Sequence, residues 1–239
     1  MPDSTDEPTQ QGVSLSSLRS LGAAFLRPDS YGFVLLLVVV TYIVSISVTG
    51  ATAASIVLTV QLATVWLALR TAQAARLFRI VADVVLGLAA VVAVGSFFVH
   101  GSGAQLGAIF IISCLLYLVA PFAIVRHLLR RQVVDRESLL GAVTAYLLFG
   151  MFFAFAYRAI GELGSVPFFG HAGRGTLSQD LFFSFVTIAT VGYGNLVPAA
   201  NPGQVLAVVE AITGQLFLIV AVGKVVSSMT PMRKRPPNS

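Results

Sequence analysis

Near the carboxyl end of the chain, the sequence reads Thr190-Val191-Gly192-Tyr193-Gly194. Gly192 and Gly194 are positions at which a positive φ costs little, so successive residues along the motif can take alternating backbone conformations. Successive carbonyl oxygens can then point to one side, where a ring of them replaces the water shell of a small cation. Thr190 can add its hydroxyl below these carbonyls, while Val191 and Tyr193 pack away from them. This motif predicts a narrow cation-binding passage rather than an ordinary glycine-rich turn.

The segments around the motif have the lengths that such a passage requires. Thr176-Leu177-Ser178-Gln179 has the Thr-x-x-Gln pattern of a capping box, which predicts a helix that begins there and ends near Ala189. A helix of about twelve residues is too short to cross a bilayer, but its carboxyl end would aim a negative dipole at a bound cation. The preceding loop, Gly161–Gly175, suits an outer turret, and a longer apolar segment follows the motif.

The composition argues against a soluble domain. The chain has 239 residues, of which 56% are hydrophobic and only 10% are charged, which allows several spans of about 20 residues. A net charge of +5 could indicate nucleic-acid binding, but the basic residues lie between apolar segments, where membrane topology explains them better. Cys114 is the single cysteine and the three histidines are scattered, so neither a disulfide nor a metal site is predicted. We expect an integral membrane protein that is not an enzyme and needs no cofactor.

Six apolar spans are predicted, all of them helical. Their approximate limits are Tyr31–Val48, Ala51–Leu69, Ile80–Val99, Ala104–Val125, Leu139–Tyr157 and Gln204–Val226. If the amino terminus is inside, all of the 15 Lys and Arg residues except Arg158 and Arg174 lie on the cytoplasmic side. This division predicts that both termini are cytoplasmic.

The spans divide the chain into four segments. Residues 1–29 are a polar cytoplasmic tail, whose last part is either a short interfacial helix or a frayed start of the first span. Residues 30–136 hold four spans and form a domain like a voltage sensor in its plan. Residues 137–228 hold the last two spans, the short helix and the motif, and residues 229–239 form a short cytoplasmic tail.

Residues 139–227 resemble the pore domain of the potassium channel family, which has an outer helix, a pore helix, a filter and an inner helix in that order. The resemblance implies that Thr190–Gly194 form a K⁺ selectivity filter, with K⁺ bound by the carbonyls of Thr190–Tyr193. It implies that Gly214 is the inner-helix glycine at which many members bend, and that four chains form one homotetrameric pore. The four preceding spans resemble the six-helix channel plan only in number and order. The partners expected are therefore K⁺ ions, the lipid bilayer and three further copies of the chain, and not nucleic acid.

The chain departs from the family pattern around the filter and in the fourth span. Many members have Asp directly after the filter, whereas this chain has Asn195, which removes a charge from the outer mouth. Many also brace the filter with the N–H of a pore-helix Trp. Phe182 and Phe183 occupy the matching positions, where they can pack against Tyr193 but cannot donate a hydrogen bond. The fourth span, Ala104–Val125, contains no Arg or Lys, which argues against a steep voltage sensor.

Glu210 is an acid inside the last span, one helical turn before Gly214. Acids within a membrane are expensive and mark functional sites by default. This one could face the pore cavity and attract cations, or it could lie behind the filter and hydrogen-bond to the pore helix. We favour the second placement, because a paired or protonated acid costs less in that wall.

The sequence therefore predicts an all-α, K⁺-selective channel that conducts passively and is not steeply voltage-gated. A weakly selective cation channel is the nearest alternative. A non-conducting membrane subunit, or a transporter that retains the motif, is an alternative of another class. We expect a multi-pass protein of the plasma membrane in a prokaryote, since a six-span chain of this size is small. The gating stimulus stays open.

Overall fold

The computed structural model describes residues 31–47, 53–71, 80, 83–84, 87, 103–130 and 135–229. Every regular element in this part of the chain is helical, as predicted. The elements are α1 (Tyr31–Ser47), α2 (Ala53–Thr71), α3 (Gly103–Arg130), α4 (Arg136–Leu163), a 3-10 turn (Gly170–Ala172), α5 (Leu177–Ile188) and α6 (Asn201–Met229). The predictions for the amino-terminal tail, for most of the third span and for nearly all of the carboxyl-terminal tail lie outside the described residues.

Three stretches of the described helices are long and apolar enough to cross a membrane. They are Phe110–Arg130, Arg136–Leu163 and Asn201–Lys224. The chain is therefore a multi-pass membrane protein whose described part is all-α, while the count of six spans stays a prediction.

Helices α3 and α4 extend beyond the predicted spans. The α3 helix continues to Arg130, and α4 begins at Arg136, where Asp135 caps it by accepting a hydrogen bond from the backbone N–H of Ser138 at 2.8 Å. Hydropathy detects the apolar part of a helix, whereas a cap sets where its backbone ends. The two helices therefore carry polar ends past their apolar parts.

Helix α4 is the centre of the described packing, because α1, α3, α5 and α6 all contact it. Its Phe155 ring stacks between Tyr117 and Phe110 of α3, with centroid distances of 5.4 and 6.2 Å. Its Gly150 leaves room for the ring of Phe185 on α5, since a Cβ at Gly150 would lie 2.7 Å from that ring. Small and aromatic residues on α4 thus set its distances to α3 and α5.

The contacts among α1, α2 and α3 use neutral polar groups. Thr41 and Thr64 share a hydrogen bond of 3.1 Å between α1 and α2, and Gln61 donates to the carbonyl of Ser113 on α3 at 3.5 Å. The buried polar side chains of the described parts of these three helices are all uncharged. This packing holds no buried charge that an electric field could move.

Helix α5 begins with the predicted capping box, which the structure confirms. The Thr176 hydroxyl accepts from the backbone N–H of Gln179 at 3.3 Å, and the Gln179 side chain accepts from the N–H of Thr176 at 2.8 Å. The helix has 12 residues and ends at Ile188, two residues before the motif. Its carboxyl end is therefore fixed next to Thr190.

Candidate ion-conduction site

The backbone of the motif alternates in conformation. Thr190, Gly192 and Gly194 have φ values of +56°, +59° and +76°, whereas Val191 and Tyr193 have negative φ. Because the sign of φ alternates along the motif, successive peptide planes can turn so that their carbonyls face the same side. Such a ladder of carbonyl oxygens has the chemistry that a dehydrated K⁺ needs.

Thr190 is the single non-glycine residue with a positive φ in the described part of the chain. A left-handed conformation costs a residue with a Cβ about 1 to 2 kcal/mol. The sequence predicts positive φ at the two glycines but carries no signal for it at the threonine. Such strain is held by its surroundings and is typical of functional sites.

The backbone N–H groups of the motif are tied to the end of α5. The N–H of Thr190 donates to the carbonyl of Thr187, and the N–H of Val191 donates to that of Val186, both at 2.9 Å. Within the described residues, the carbonyl oxygens of Thr190–Tyr193 accept no hydrogen bond. The backbone N–H groups therefore fix the position of the segment, while its carbonyl oxygens are available to bind a ligand.

Two neighbouring phenylalanines of α5, Phe182 and Phe183, point in different directions. Phe182 stacks on the ring of Tyr193, with centroids 6.1 Å apart and planes at 8°. Phe183 is buried on the other side, where its ring lies 5.0 Å from Tyr157 and 5.6 Å from Phe169. Phe182 alone of this pair braces the motif, while Phe183 packs α5 against α4. Asn195, at the end of the motif, is exposed.

Glu210 lies behind α5, in the second of the two placements that the sequence left open. Its side chain is fully buried. The hydroxyl of Tyr157 on α4 donates to Oε2 at 2.5 Å, and the hydroxyl oxygen of Ser184 on α5 lies 2.5 Å from Oε1. One carboxyl group thus joins helices α4, α5 and α6.

The hydrogens available at this junction indicate that Glu210 is neutral. The Ser184 oxygen lies 2.7 Å from the carbonyl oxygen of Gly150 as well as 2.5 Å from Glu210. A serine hydroxyl has one hydrogen, and a carbonyl can only accept. If Ser184 donates to Gly150, a protonated Glu210 can donate to Ser184 while it accepts from Tyr157. Every contact then has one hydrogen, and no charge is buried.

Gly214 is the place where α6 touches the end of α5. A Cβ at this position would overlap the carbonyl oxygen of Ile188 and lie 2.7 Å from its Cγ1. Helix α6 continues through Gly214 without a break. The structure therefore gives this glycine a packing role, and bending at Gly214 stays a prediction.

Gln215, the residue after Gly214, contacts the motif, and the sequence analysis did not predict this contact. Its side-chain nitrogen donates to the hydroxyl oxygen of Thr190 at 3.2 Å. The signal available was a polar residue in an apolar helix, directly after the glycine that lets the two helices meet. Gln215 thus orients the Thr190 hydroxyl.

The part of the chain that holds these residues is similar to known proteins. Residues 141–230, which include α5, the motif and α6, match a family model described as an ion channel. An inward rectifier potassium channel of Paramagnetospirillum magnetotacticum is 35% identical over 85 residues. A two-pore potassium channel of Arabidopsis thaliana is 38% identical over 53 residues. Residues 141–230 are thus similar to ion channels, and both of these relatives are potassium channels. The predicted resemblance is confirmed.

The similarity is confined to part of each protein. The two alignments cover 36% and 22% of this chain, and 27% and 19% of the bacterial and plant relatives. This chain thus spans about a quarter or less of the length of those relatives. No solved structure matches the chain at the threshold that these two relatives pass.

Proposed function

We propose that the protein is a K⁺-selective channel that conducts passively across a membrane. The alternating φ values of Thr190–Gly194, with carbonyls left unbonded within the described residues, are the observation that carries this proposal. The carbonyls of Thr190–Tyr193 and the Thr190 hydroxyl bind dehydrated K⁺, and repulsion between ions at adjacent sites drives conduction. From here on, Thr190–Gly194 is called the filter.

A pore requires more than one chain, and we propose a homotetramer. One chain supplies one filter strand, whose residues are all exposed and cannot enclose an ion. Helix α6 also leaves apolar side chains uncovered, more than a soluble surface would tolerate. They include Val205, Val208, Ile212, Leu216 and Ile219. Closed four-fold symmetry surrounds the ion with four equal strands and covers part of this face, while lipid covers the rest.

We propose that both termini lie in the cytoplasm of a prokaryotic cell and that the plasma membrane holds the channel. An apolar groove is lined by Leu129 of α3, Leu139 of α4 and Lys224 of α6, which places the basic ends of these helices side by side. Arg158 and Arg174 lie together near the other end of α4, beside Gly161 and Gly175. The positive-inside rule assigns the first end to the cytoplasm.

A weakly selective cation channel is the second candidate function. Phe182 braces Tyr193 by ring stacking alone, without the hydrogen bond that an indole N–H would supply. Asn195 also leaves the outer mouth without a carboxylate. A less rigid filter would discriminate less between ions of different size.

Ion flux through purified protein in liposomes separates these functions from a non-conducting subunit. We expect K⁺ flux well above Na⁺ flux, from a particle whose native mass in detergent equals four chains. Equal K⁺ and Na⁺ flux would support the second candidate. No flux, or a particle of one or two chains, would contradict the proposal.

The channel should open with only shallow dependence on voltage. The described part of residues 30–136 holds no buried charge, and the Arg residues of α3 lie in its last turns, at Arg126 and Arg130. Each elementary charge that crosses the field contributes only about 2.3 kcal/mol per 100 mV, so steep gating needs several. A conductance–voltage curve of the purified channel checks this. A steep curve that Arg126→Gln flattens would contradict it.

Two substitutions of Glu210 should distinguish the effect of its hydrogen bonds from the effect of a charge on its carboxyl group. Glu210→Gln keeps one donor toward Ser184 and one acceptor for Tyr157, so we expect nearly unchanged tetramer melting and K⁺ flux. Glu210→Ala leaves the buried Tyr157 hydroxyl without an acceptor, at about 1 to 3 kcal/mol, and removes the donor to Ser184. Melting in detergent should then fall and flux should drop. If Gln proves as damaging as Ala, an ionised Glu210 is required and the neutral assignment is wrong.

A further inference from the structure

Asp180, in the first turn of α5, is a buried acid without a hydrogen bond. Its side chain is only 1% exposed, and neither carboxylate oxygen has a hydrogen-bond partner in the described residues. The nearest cation is Arg158 of α4, whose Nη1 lies 3.6 Å from Oδ2, beyond hydrogen-bond distance. Burying an ionised carboxylate in this way is costly.

Arg158 is bound mainly to other groups. Its Nη1 donates to the carbonyl of Gly175 at 2.6 Å, and its Nη2 pairs with Glu162, one turn further along α4, at 2.5 Å. The guanidinium therefore already has an anionic partner other than Asp180. The carboxyl group of Asp180 therefore shares its counter-ion, Arg158, with Glu162 and accepts no hydrogen bond. A bound proton would neutralise this uncompensated charge.

We propose that Asp180 is a proton-binding site through which the extracellular pH controls the filter. This proposal rests on the proposed channel function and its orientation in the membrane. Asp180 is well placed for it, because α5 continues from this residue to the filter. Its neighbours Arg158 and Glu162 have side chains that are 18% and 14% exposed, so protons from the outer solution reach the cluster through them.

The other charged groups of this region are directed elsewhere. Arg174 of the preceding loop donates to the carbonyls of Gly161 and Gly164. His171 is exposed on the 3-10 turn. Glu210 is bound to Tyr157 and Ser184. Within the described residues, Arg158 and Glu162 are thus the charged groups that face Asp180.

The direction of the effect follows from burial. Burial raises the pKa of Asp180 to about 7, while Arg158 opposes the shift and Glu162 adds to it. In any arrangement that exposes Asp180 to water, its pKa is lower, so rising pH favours that arrangement. The packed arrangement, in which α5 holds the filter, is therefore the proton-bound one. Conduction should fall as the external pH rises through about 7.

Currents in planar bilayers, with only the external pH varied from about 5 to about 9, test the proposal. The wild-type current should fall by about fivefold or more over this range, as typical coupling free energies allow. Asp180→Asn, which mimics the protonated acid, should conduct at all these pH values without the fall. His171→Gln is the matched control and should respond like the wild type. Glu162→Gln should move the midpoint to lower pH, because Glu162 raises the pKa of Asp180.

A second measurement follows the proton itself. The infrared absorption of a protonated carboxyl group, taken as wild type minus Asp180→Asn, should disappear as the pH rises through neutrality. If Asp180→Asn does not assemble, the Glu162→Gln midpoint takes its place in the current measurement. An unaltered pH response in Asp180→Asn, its loss in His171→Gln, or an acid that titrates near its usual pKa would each overturn the proposal. A preparation without K⁺ flux at any pH refutes the channel function instead, and the infrared titration still tests the proton site.

Discussion

Gly192→Ala should abolish most of the discrimination between K⁺ and Na⁺. Gly192 has a φ of +59°, and an added Cβ costs about 1 to 2 kcal/mol in that conformation. Since about 1.4 kcal/mol is a factor of ten, and four chains would carry the change, the carbonyl ladder should relax to another geometry. We expect the K⁺/Na⁺ permeability ratio to fall by about tenfold or more.

Gly173→Ala is the matched control for this change. Gly173 lies in the loop before α5, has a φ of +87°, and, like Gly192, has open space where a Cβ would lie. Its ψ of −161° puts it in a region essentially restricted to glycine, so the backbone strain should be at least as large, but the position is outside the filter. Selectivity should survive in Gly173→Ala and be lost in Gly192→Ala, with both proteins inserted in the membrane. Equal permeability ratios in the two variants would contradict the filter assignment.

Gly214→Ala should damage the channel although alanine is the better helix former. In an open helix position this exchange stabilises by about 1 kcal/mol. At Gly214 the new methyl group would overlap the carbonyl of Ile188, a backbone atom at the end of α5. Overpacking of this kind costs about 1 to 3 kcal/mol, and here it displaces the residues that anchor Thr190. Both K⁺ flux and tetramer melting temperature should fall.

Gly223→Ala provides the comparison within the same helix. Gly223 has no described atom within 4 Å of a built Cβ, so the variant should melt at the same temperature as the wild type or higher. If Gly214→Ala also behaves in this way, the contact with Ile188 does not constrain the filter. Increased flux in Gly214→Ala would likewise contradict the packing role.

The local features of the pore domain could be predicted from sequence because their determinants are close together along the chain. The capping box at Thr176 and Gln179 involves neighbouring residues and sets the start of α5 by itself. Gly192 and Gly194 likewise predict positive φ at their own positions, because a glycine's conformational freedom does not depend on distant residues. The placement of Glu210 was predictable from cost alone, since an uncompensated acid in a membrane wall is too expensive.

The contacts between helices could not be predicted in this way. Whether Gly214 serves as a hinge or as a contact depends on where α6 crosses α5, and the sequence pattern of one helix does not determine that crossing. The hydrogen bond from Gln215 to Thr190 has the same origin. In the sequence, Asp180 is an ordinary acid in the first turn of a helix, where the helix dipole favours a negative charge. Its burial beside Arg158 results from the packing of α5 on α4.

The reversal potential of single-channel currents, with K⁺ on one side of a planar bilayer and Na⁺ on the other, tests the central claim most directly. For a monovalent ion, each factor of ten in permeability ratio shifts this potential by about 59 mV. We expect a shift of more than about 59 mV in the direction that K⁺ selectivity requires. A reversal potential near zero, from purified protein that conducts both ions, would contradict the assignment of Thr190–Gly194 as a K⁺ selectivity filter.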